Sequence, residues 1–359
     1  MADGQFDANA VRTALETIKD PETGRSVVAM DQVSDISVSD GQVSLTLGLT
    51  THSAPLWDDT IADTKQLLES KFPQATQVTV HHKVYDRRPE KIGEIGLTTK
   101  SVIAVGSGKG GVGKSTVASA IAYGLQRAGS VVGLVDADVY GPSIPQLLGV
   151  QQRPEIINNR IQPIEKDGLR VMSMGFLVPP GEAVVWRGPM LHGAITQFLR
   201  DTDWGDLDYL IIDMPPGTGD IALTLSQLLP LSGSVVVCTP QEVALLDAVK
   251  AIAMFRKVNI PILGMVENMS GFICPDNGKR YDIFGSGGAK QRAAELDVPF
   301  LGEIPINVGI RVSGDKGQMG SVFEDETTAP YLQQLIHQLA KNLSAKVMED
   351  PPLPNLTVL

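Results

Sequence analysis

The stretch "SVIAVGSGKGGVGKSTVASAIAYGLQRAG", residues 101–129, decides the fold. It begins as a short apolar run, passes through a glycine-rich loop, and continues with the composition of a helix. Gly108, four residues, then Gly113-Lys114-Ser115, set between a strand and a helix, place every part of a phosphate-binding loop in order. Gly108, Gly110, Gly111 and Gly113, with Val112 among them, let the main chain bend until its amide N–H groups line an anion nest. The helix that follows directs its positive end at the same point. In such a loop Lys114 would reach the β- and γ-phosphates of a nucleotide. The Ser115 hydroxyl would ligand Mg2+, and Thr116 would support the inner phosphates.

Downstream, the same alternation recurs. Apolar runs stand at "VVGLVDAD" (131–138), "LRVMSMG" (169–175), "YLIIDMPP" (209–216), "SVVVCTP" (234–240), "PILGMVENM" (261–269) and "PFLGEIP" (299–305), with helix-like stretches between them. Near-continuous Val/Ile/Leu strands separated by helices predict an α/β domain whose parallel sheet is covered by helices on both faces. In such sheets ligands bind at the carboxyl ends of the strands, so the polar residues that close each run carry the chemistry. Asp136 and Asp138 close the second run and Asp213 closes the fourth, with Gly217 and Asp220 just beyond. An aspartate after four apolar residues is the pattern that holds Mg2+ beside a phosphate-binding loop. Asp220 is read equally as a helix cap or as part of a switch.

Upstream, residues 8–82 predict a small α+β domain. It has a helix whose apolar spacing runs over 11–20 and which stops at Asp20-Pro21, a hairpin across 36–49 with its turn at Asp40-Gly41, a helix over 54–72 and a strand over 77–82. His81 and His82 are expected as exposed strand-end residues. The charged, aperiodic stretch 83–100 is read as a linker, 101–345 as the nucleotide domain and 346–359 as a loose tail. The formal charge of −11 weighs against nucleic acid or an anionic membrane as partner. The N-terminus lacks the look of a signal peptide, and no apolar run has the length of a membrane span. Two cysteines, Cys238 and Cys274, give no disulfide framework, so a reducing cytoplasm is the expected location.

Lys109 is a second lysine that a plain phosphate-binding loop does not require. With it, "KGGVGKS" resembles the deviant Walker A loop of the MinD/ParA/Mrp group of ATPases. The resemblance implies a homodimer that sandwiches two ATP molecules, with Lys109 reaching the partner's phosphates as an arginine finger would. It implies that Asp138 orients the attacking water and that Asp136 lies in the outer shell of the metal. Gly217 would then offer its N–H near the γ-phosphate, while Asn268 and Pro305 embrace the adenine. The stretches "DADVYGPSIPQLLG" (136–149), "SMGFLV" (173–178), "WRGPM" (186–190), "WGDLDYLIIDMPPGTGD" (204–220) and "IFGSGG" (283–288) are similar to the Mrp/ApbC branch. That branch implies slow ATP hydrolysis in the service of iron–sulfur cluster assembly or transfer, with iron–sulfur client or assembly proteins as partners. Residues 8–82 resemble the small iron–sulfur-assembly domain often fused ahead of it.

The branch also implies a C-x-x-C pair before "IFG", shared across the dimer. Here Cys274 is present and Asn277 stands at the second place. A symmetric dimer would then present two such thiolates, against the four a [4Fe–4S] cluster usually takes. Cys238 lies within a buried-strand pattern and reads as an apolar filler. Ala54 stands where relatives of the small domain often carry a cysteine. Three readings of Cys274 stay open: one of two dimer-related cluster ligands, a thiol without metal, or a ligand to another divalent metal. The alternative function is a nucleotide-gated adaptor or positioning switch without a cluster. A P-loop kinase is a weaker third, since no acceptor-site motif accompanies the loop.

Overall fold

The computed structural model describes residues 6–139, 141–177, 188–217 and 219–349. Tyr140, Val178, Trp186, Arg187 and Thr218 of the quoted motifs, the side chain of Asp220 and the tail beyond 349 lie outside the described residues. The chain divides into two compact units, Met1–Arg87 with Ala340–Leu359, and Arg88–Leu339.

In the first unit, α1 (Ala8–Leu15) starts where the Asp7 carboxylate accepts the Ala10 N–H at 2.9 Å, a side-chain N-cap. It therefore begins earlier than the sequence predicts, and it ends five residues before Asp20. Asp20 instead organises a turn, accepting the Thr23 N–H at 3.0 Å and the Gln32 side-chain amide at 3.0 Å. Strands β1 (Val33–Ser39) and β2 (Gln42–Leu49) form the expected antiparallel hairpin around Asp40-Gly41. Strand β3 (Gln77–Val84) returns parallel to β2 after the crossover helix α2 (Trp57–Lys71), as a parallel pair requires. Period-two alternation sends Val43, Leu45 and Leu47 to one face, where they pack with Val11, Leu15 and Leu68. His81 is exposed, but His82 is not the exposed strand-end residue the sequence predicts. Its ring packs on Trp57 with centroids 4.2 Å apart, and burial holds its pKa below the usual histidine value.

The second unit is built on one large sheet. Its strands are β4 (Leu97–Gly106), β5 (Val132–Asp136), β6 (Ile164–Lys166), β7 (Leu169–Ser173), β8 (Leu207–Asp213), β9 (Gly233–Cys238), β10 (Ile262–Ile273), β11 (Arg280–Tyr281) and β12 (Phe300–Ile306). The spatial order runs β11-β10-β9-β4-β8-β5-β7-β6, with β12 also paired to β10. All seven apolar runs of the sequence become mutually parallel strands, and β6 and β11 add antiparallel edges. Val102, Ile103, Ala104 and Val105 are fully buried, which is why both side-chain parities of this strand are apolar. Strand β4 starts at Leu97, inside the stretch read as linker. There Lys91–Ile92 pairs with it, and Lys100 ion-pairs with Asp208 of β8 at 2.9 Å.

Helices α3 (Lys114–Ala128), α4 (Ile144–Leu148), α5 (Gly188–Asp201), α6 (Gly219–Leu228), α7 (Glu242–Lys257), α8 (Gly288–Glu295) and α9 (Val308–Asp315) follow the strands in the chain. The last helix, α10 (Ala329–Glu349), runs through residues 346–349 that the sequence assigns to a loose tail. From Ala340 onward its residues group with the first unit, whereas the sequence places all of 331–345 in the nucleotide domain.

Candidate nucleotide-binding site

Strand register sets the site. In the paired strands Asp213 lies opposite both Val105 and Asp136, and Ser173 lies opposite Asp136. The carboxyl ends of β7, β5, β8 and β4 are thus level, and the glycine-rich loop leaves from the last of them.

Gly113 is the N-cap of α3 at φ +84°, and a Cβ there would sit 2.1 Å from the Asn268 Nδ2. A side chain at this position would meet both the left-handed backbone and Asn268, so the loop needs glycine here. Asn268 closes the approach by donating its amide to the Val112 carbonyl at 2.8 Å. Inside the loop, the Ser107 hydroxyl donates to the Lys109 carbonyl at 2.9 Å. The first turn of α3 carries no acidic side chain of its own to offset its positive end.

Lys114 is 6% exposed, and its ammonium is the hub of the site. It donates to Asp213 Oδ1 at 2.6 Å, lies 3.9 Å from Asp138 Oδ2 and reaches Ser115 Oγ at 3.3 Å. The Asp213 carboxylate is fully buried. Burial pushes its pKa up, against the opposing pull of the Lys114 charge. Its Oδ2 has no hydrogen-bond partner among the described residues. An acceptor-only oxygen left so in a polar site fits a hard cation or a water bound to one.

Asp136 has both carboxylate oxygens engaged. One accepts the Asp138 N–H at 3.1 Å; the other accepts the Ile144 N–H at 3.1 Å and the Ser173 hydroxyl at 3.0 Å. Burial first, and the Asp213 charge second, push the Asp136 carboxyl up to about 7. Asp136 thereby fixes the turn that carries Asp138, whose Oδ1 accepts the Gly141 N–H at 3.1 Å. Gly217 donates its N–H to the Ser107 carbonyl at 3.0 Å, so that amide must exchange partners to meet a phosphate.

Val112 is buried, Gly108 half-buried, and Gly110 and Gly111 are exposed, while Thr116 sits half-buried in the first turn of α3. Lys109 is half-buried, and its ammonium has no hydrogen-bond or ion-pair partner among the described residues. Pro305 is buried in β12, one residue beyond the Ile304 that faces Asn268.

Cys274 is half-buried and lies apart from this group, at the root of a hairpin tip beyond β10. Its N–H donates to the Lys279 carbonyl at 2.9 Å, and its carbonyl accepts the Gly278 N–H at 2.8 Å. The Asn277 side chain accepts the Lys279 N–H at 2.9 Å, closing the turn. No group of three or more His, Cys, Asp or Glu residues suited to a metal occurs among the described residues. Cys238 is 1% exposed, and burial pushes its thiol pKa up to about 12, so it is the inert filler the sequence predicts.

This strand–loop–helix, with a buried lysine between Asp213 and Asp138, matches a family profile described as the NUBPL iron-transfer P-loop NTPase over residues 98–344. The chain belongs to this family. A second profile, for an iron–sulfur cluster assembly protein, matches residues 8–81. The chain is 42% identical over 353 residues to an iron–sulfur cluster carrier protein of Synechocystis, covering 94% of this chain and 97% of that protein. It is 51% identical over 222 residues to the mouse iron–sulfur cluster transfer protein NUBPL, covering 61% of this chain and 70% of that one. Among solved structures, a nucleotide-binding protein from Archaeoglobus fulgidus in complex with ADP is 40% identical. It aligns with a TM-score of 0.56 over 62% of this chain and 88% of its own. The iron-transfer P-loop NTPase family and the parallel-sheet fold are those the sequence motifs imply.

Sequence reasoning missed Ser173, although a serine ending an apolar run was a signal to test. It also missed that Asn268 braces the loop. That contact joins residues 156 apart in the chain and leaves no local trace.

Proposed function

We propose that the chain binds ATP with Mg2+ at residues 107–116, hydrolyses it as a homodimer, and uses the cycle in iron–sulfur cluster transfer in the cytoplasm. The observation that carries this reading is the Lys114 ammonium, gathered with Asp213, Asp138 and Ser115 under the glycine loop. The loop amides and the start of α3 receive the phosphates, and Lys114 turns from Asp213 to the β- and γ-phosphates. Ser115 and Asp213 would hold Mg2+, which when bound neutralises phosphate oxygens as a Lewis acid. Asp138, held by the turn that Asp136 fixes, orients the attacking water. Lys109 crosses to the partner's phosphates, adding positive charge where negative charge develops. Asn268 and Pro305 flank the adenine, and Gly217 offers its N–H near the γ-phosphate.

The partners in this reading are iron–sulfur client or assembly proteins, as the names of the relatives imply. The cluster is cargo. With Cys274 alone, a dimer offers two dimer-related thiolates at this position, so cluster binding by this chain is weak or labile. Asn277, spent on closing the hairpin turn, favours one second reading, a nucleotide-gated adaptor that carries no cluster.

Calorimetry with ATP and Mg2+, and phosphate release, test the first part. Lys114→Ala is expected to lose nucleotide binding. Lys109→Ala is expected to keep binding but to lose roughly 100-fold or more in hydrolysis, the scale of one lost transition-state charge contact. Wild-type affinity in Lys114→Ala overturns the site. Anaerobic reconstitution with iron and sulfide separates the two readings. A visible absorption band that Cys274→Ser abolishes supports the carrier, and protein free of iron supports the adaptor.

A further inference from the structure

Strand β10 carries at its carboxyl end a feature the nucleotide site does not use. Asn268 pairs opposite Ile304, yet the next paired residue is Phe272, opposite Ile306. Three residues, Met269 to Gly271, therefore stand on β10 where β12 has one. This is a bulge, the device by which a strand is bent and a side chain re-aimed beside a site. The bend is strained: Met269 has φ +59°, uncommon for a side chain of its size, and Gly271 has φ +71°. On one side of the bulge Asn268 holds the Val112 carbonyl of the phosphate loop. On the other side the chain runs straight into the hairpin that bears Cys274.

The bulge is clasped by side chains. Arg280, on the return strand of that hairpin, forms a bidentate pair with Glu303 of β12 at 2.6 and 3.0 Å. The same guanidinium reaches the Ser270 carbonyl at 3.3 Å and the Ser270 hydroxyl at 3.2 Å, and Asp282 at 3.1 Å. Gly271 lacks a side chain where one would collide with it, since a Cβ there would lie 2.6 Å from Arg280 Nε. Ser270 is also tied inward, within 2.6 Å of the fully buried Glu267 carboxylate. Glu267 in turn accepts the Gly287 and Ala289 N–H groups at 2.7 Å each, at the start of α8. Every link from Val112 to the root of the Cys274 loop is thus a hydrogen bond or a covalent bond.

We propose that this bulge, clasped by Arg280 and Glu303, couples occupancy of the phosphate loop to the exposure of Cys274, with Arg280 as the positioning residue for that thiol. The inference rests on the nucleotide-binding reading above. A phosphate that moves Val112 or Gly113 displaces Asn268. The strained residues behind Asn268 absorb the change, and the clasp passes it to the hairpin rather than letting the hairpin swing freely.

Cys274 itself reports the outcome, because the other thiol, Cys238, is buried. The full chain is assayed for nucleotide affinity by calorimetry, and for the rate of Cys274 modification by a disulfide reagent without and with ADP and Mg2+. In the wild-type chain the nucleotide is expected to change the rate by about threefold or more, the size of a modest shift in a local opening equilibrium. Arg280→Ala is expected to label faster without nucleotide and to lose the nucleotide-dependent difference while still binding nucleotide. Glu303→Gln, which keeps the shape and removes the charge, is expected to do the same more weakly, and it serves if Arg280→Ala does not fold. A nucleotide effect on labelling that survives in a binding-competent variant overturns the proposal, because protection by dimerisation alone would persist there. So does a wild-type chain that binds nucleotide with no change in labelling. A wild-type chain that binds no nucleotide overturns the functional reading first, and this inference with it.

Discussion

At the scale of single residues, the site depends on contacts that leave no spare room. Asn268 is 7% exposed and its amide is the partner given to the Val112 carbonyl. Asn268→Ala leaves that carbonyl unpaired in a buried place, at a cost of about 1–3 kcal/mol. The cost falls on the loop that must hold phosphate, so nucleotide affinity is expected to drop by roughly tenfold or more. Titration calorimetry checks this, and unchanged affinity would show that the brace is idle. Gly113→Ala attacks the same contact from the other side. Its φ of +84° and the 2.1 Å approach to Asn268 Nδ2 make weaker nucleotide binding the expected result there too. The glycines and lysines of the loop were legible in the sequence because the motif fixes them by local spacing. Asn268 as a brace, Ser173 as a partner of Asp136, and the Arg280–Glu303 clasp were not, because each pairs residues that only the folded sheet brings together.

Among elements, legibility follows burial. Each apolar run of the second unit became a parallel strand because a strand covered on both faces must be apolar at every position, and that pattern has few alternatives. Boundaries were harder to read. Helix α1 begins at its Asp7 cap rather than at the apolar spacing that predicts 11–20, and β4 extends back to Leu97 through Thr-Thr-Lys, a polar stretch whose Lys100 is neutralised by Asp208. A bulge such as Met269–Gly271 has no apolar signature at all. The small sheet gives a direct test of how an element is held. Leu45 on β2 is fully buried and packs within the cluster formed by α1, α2 and the sheet. Leu45→Ala is expected to cost the first unit about 2–5 kcal/mol, the range for a fully buried leucine. Denaturant unfolding followed by the Trp57 signal reads that loss. A cost within the noise of the measurement would mean the site collapses around the smaller side chain.

For the molecule as a whole, the unexpected feature is where its last helix belongs. The spacing of apolar residues along α10 does not say which core takes them, since any apolar surface satisfies the same period. The structure divides the helix: residues up to Leu339 belong with the nucleotide unit and those from Ala340 with the first unit. Within that first unit the helix end is closely fitted. Leu343 is 4% exposed, Lys341 ion-pairs with Asp59 at 2.9 Å, and a Cβ at Gly24 would lie 2.9 Å from the Val347 carbonyl. A domain of this size buries a smaller share of its surface on folding than a large one does and depends on each contributing segment. Removing residues 340–359 is therefore expected to act on the far end of the chain. Amide hydrogen exchange of β1–β3 should rise toward that of an unfolded segment, because local opening there costs less free energy. The strands around Lys114 should keep their protection, and nucleotide affinity should stay within about twofold of the full chain, a change of under half a kcal/mol. Protection of β1–β3 unchanged by the truncation would refute the assignment of the helix end. Loss of nucleotide binding would show instead that its last turns serve the nucleotide unit.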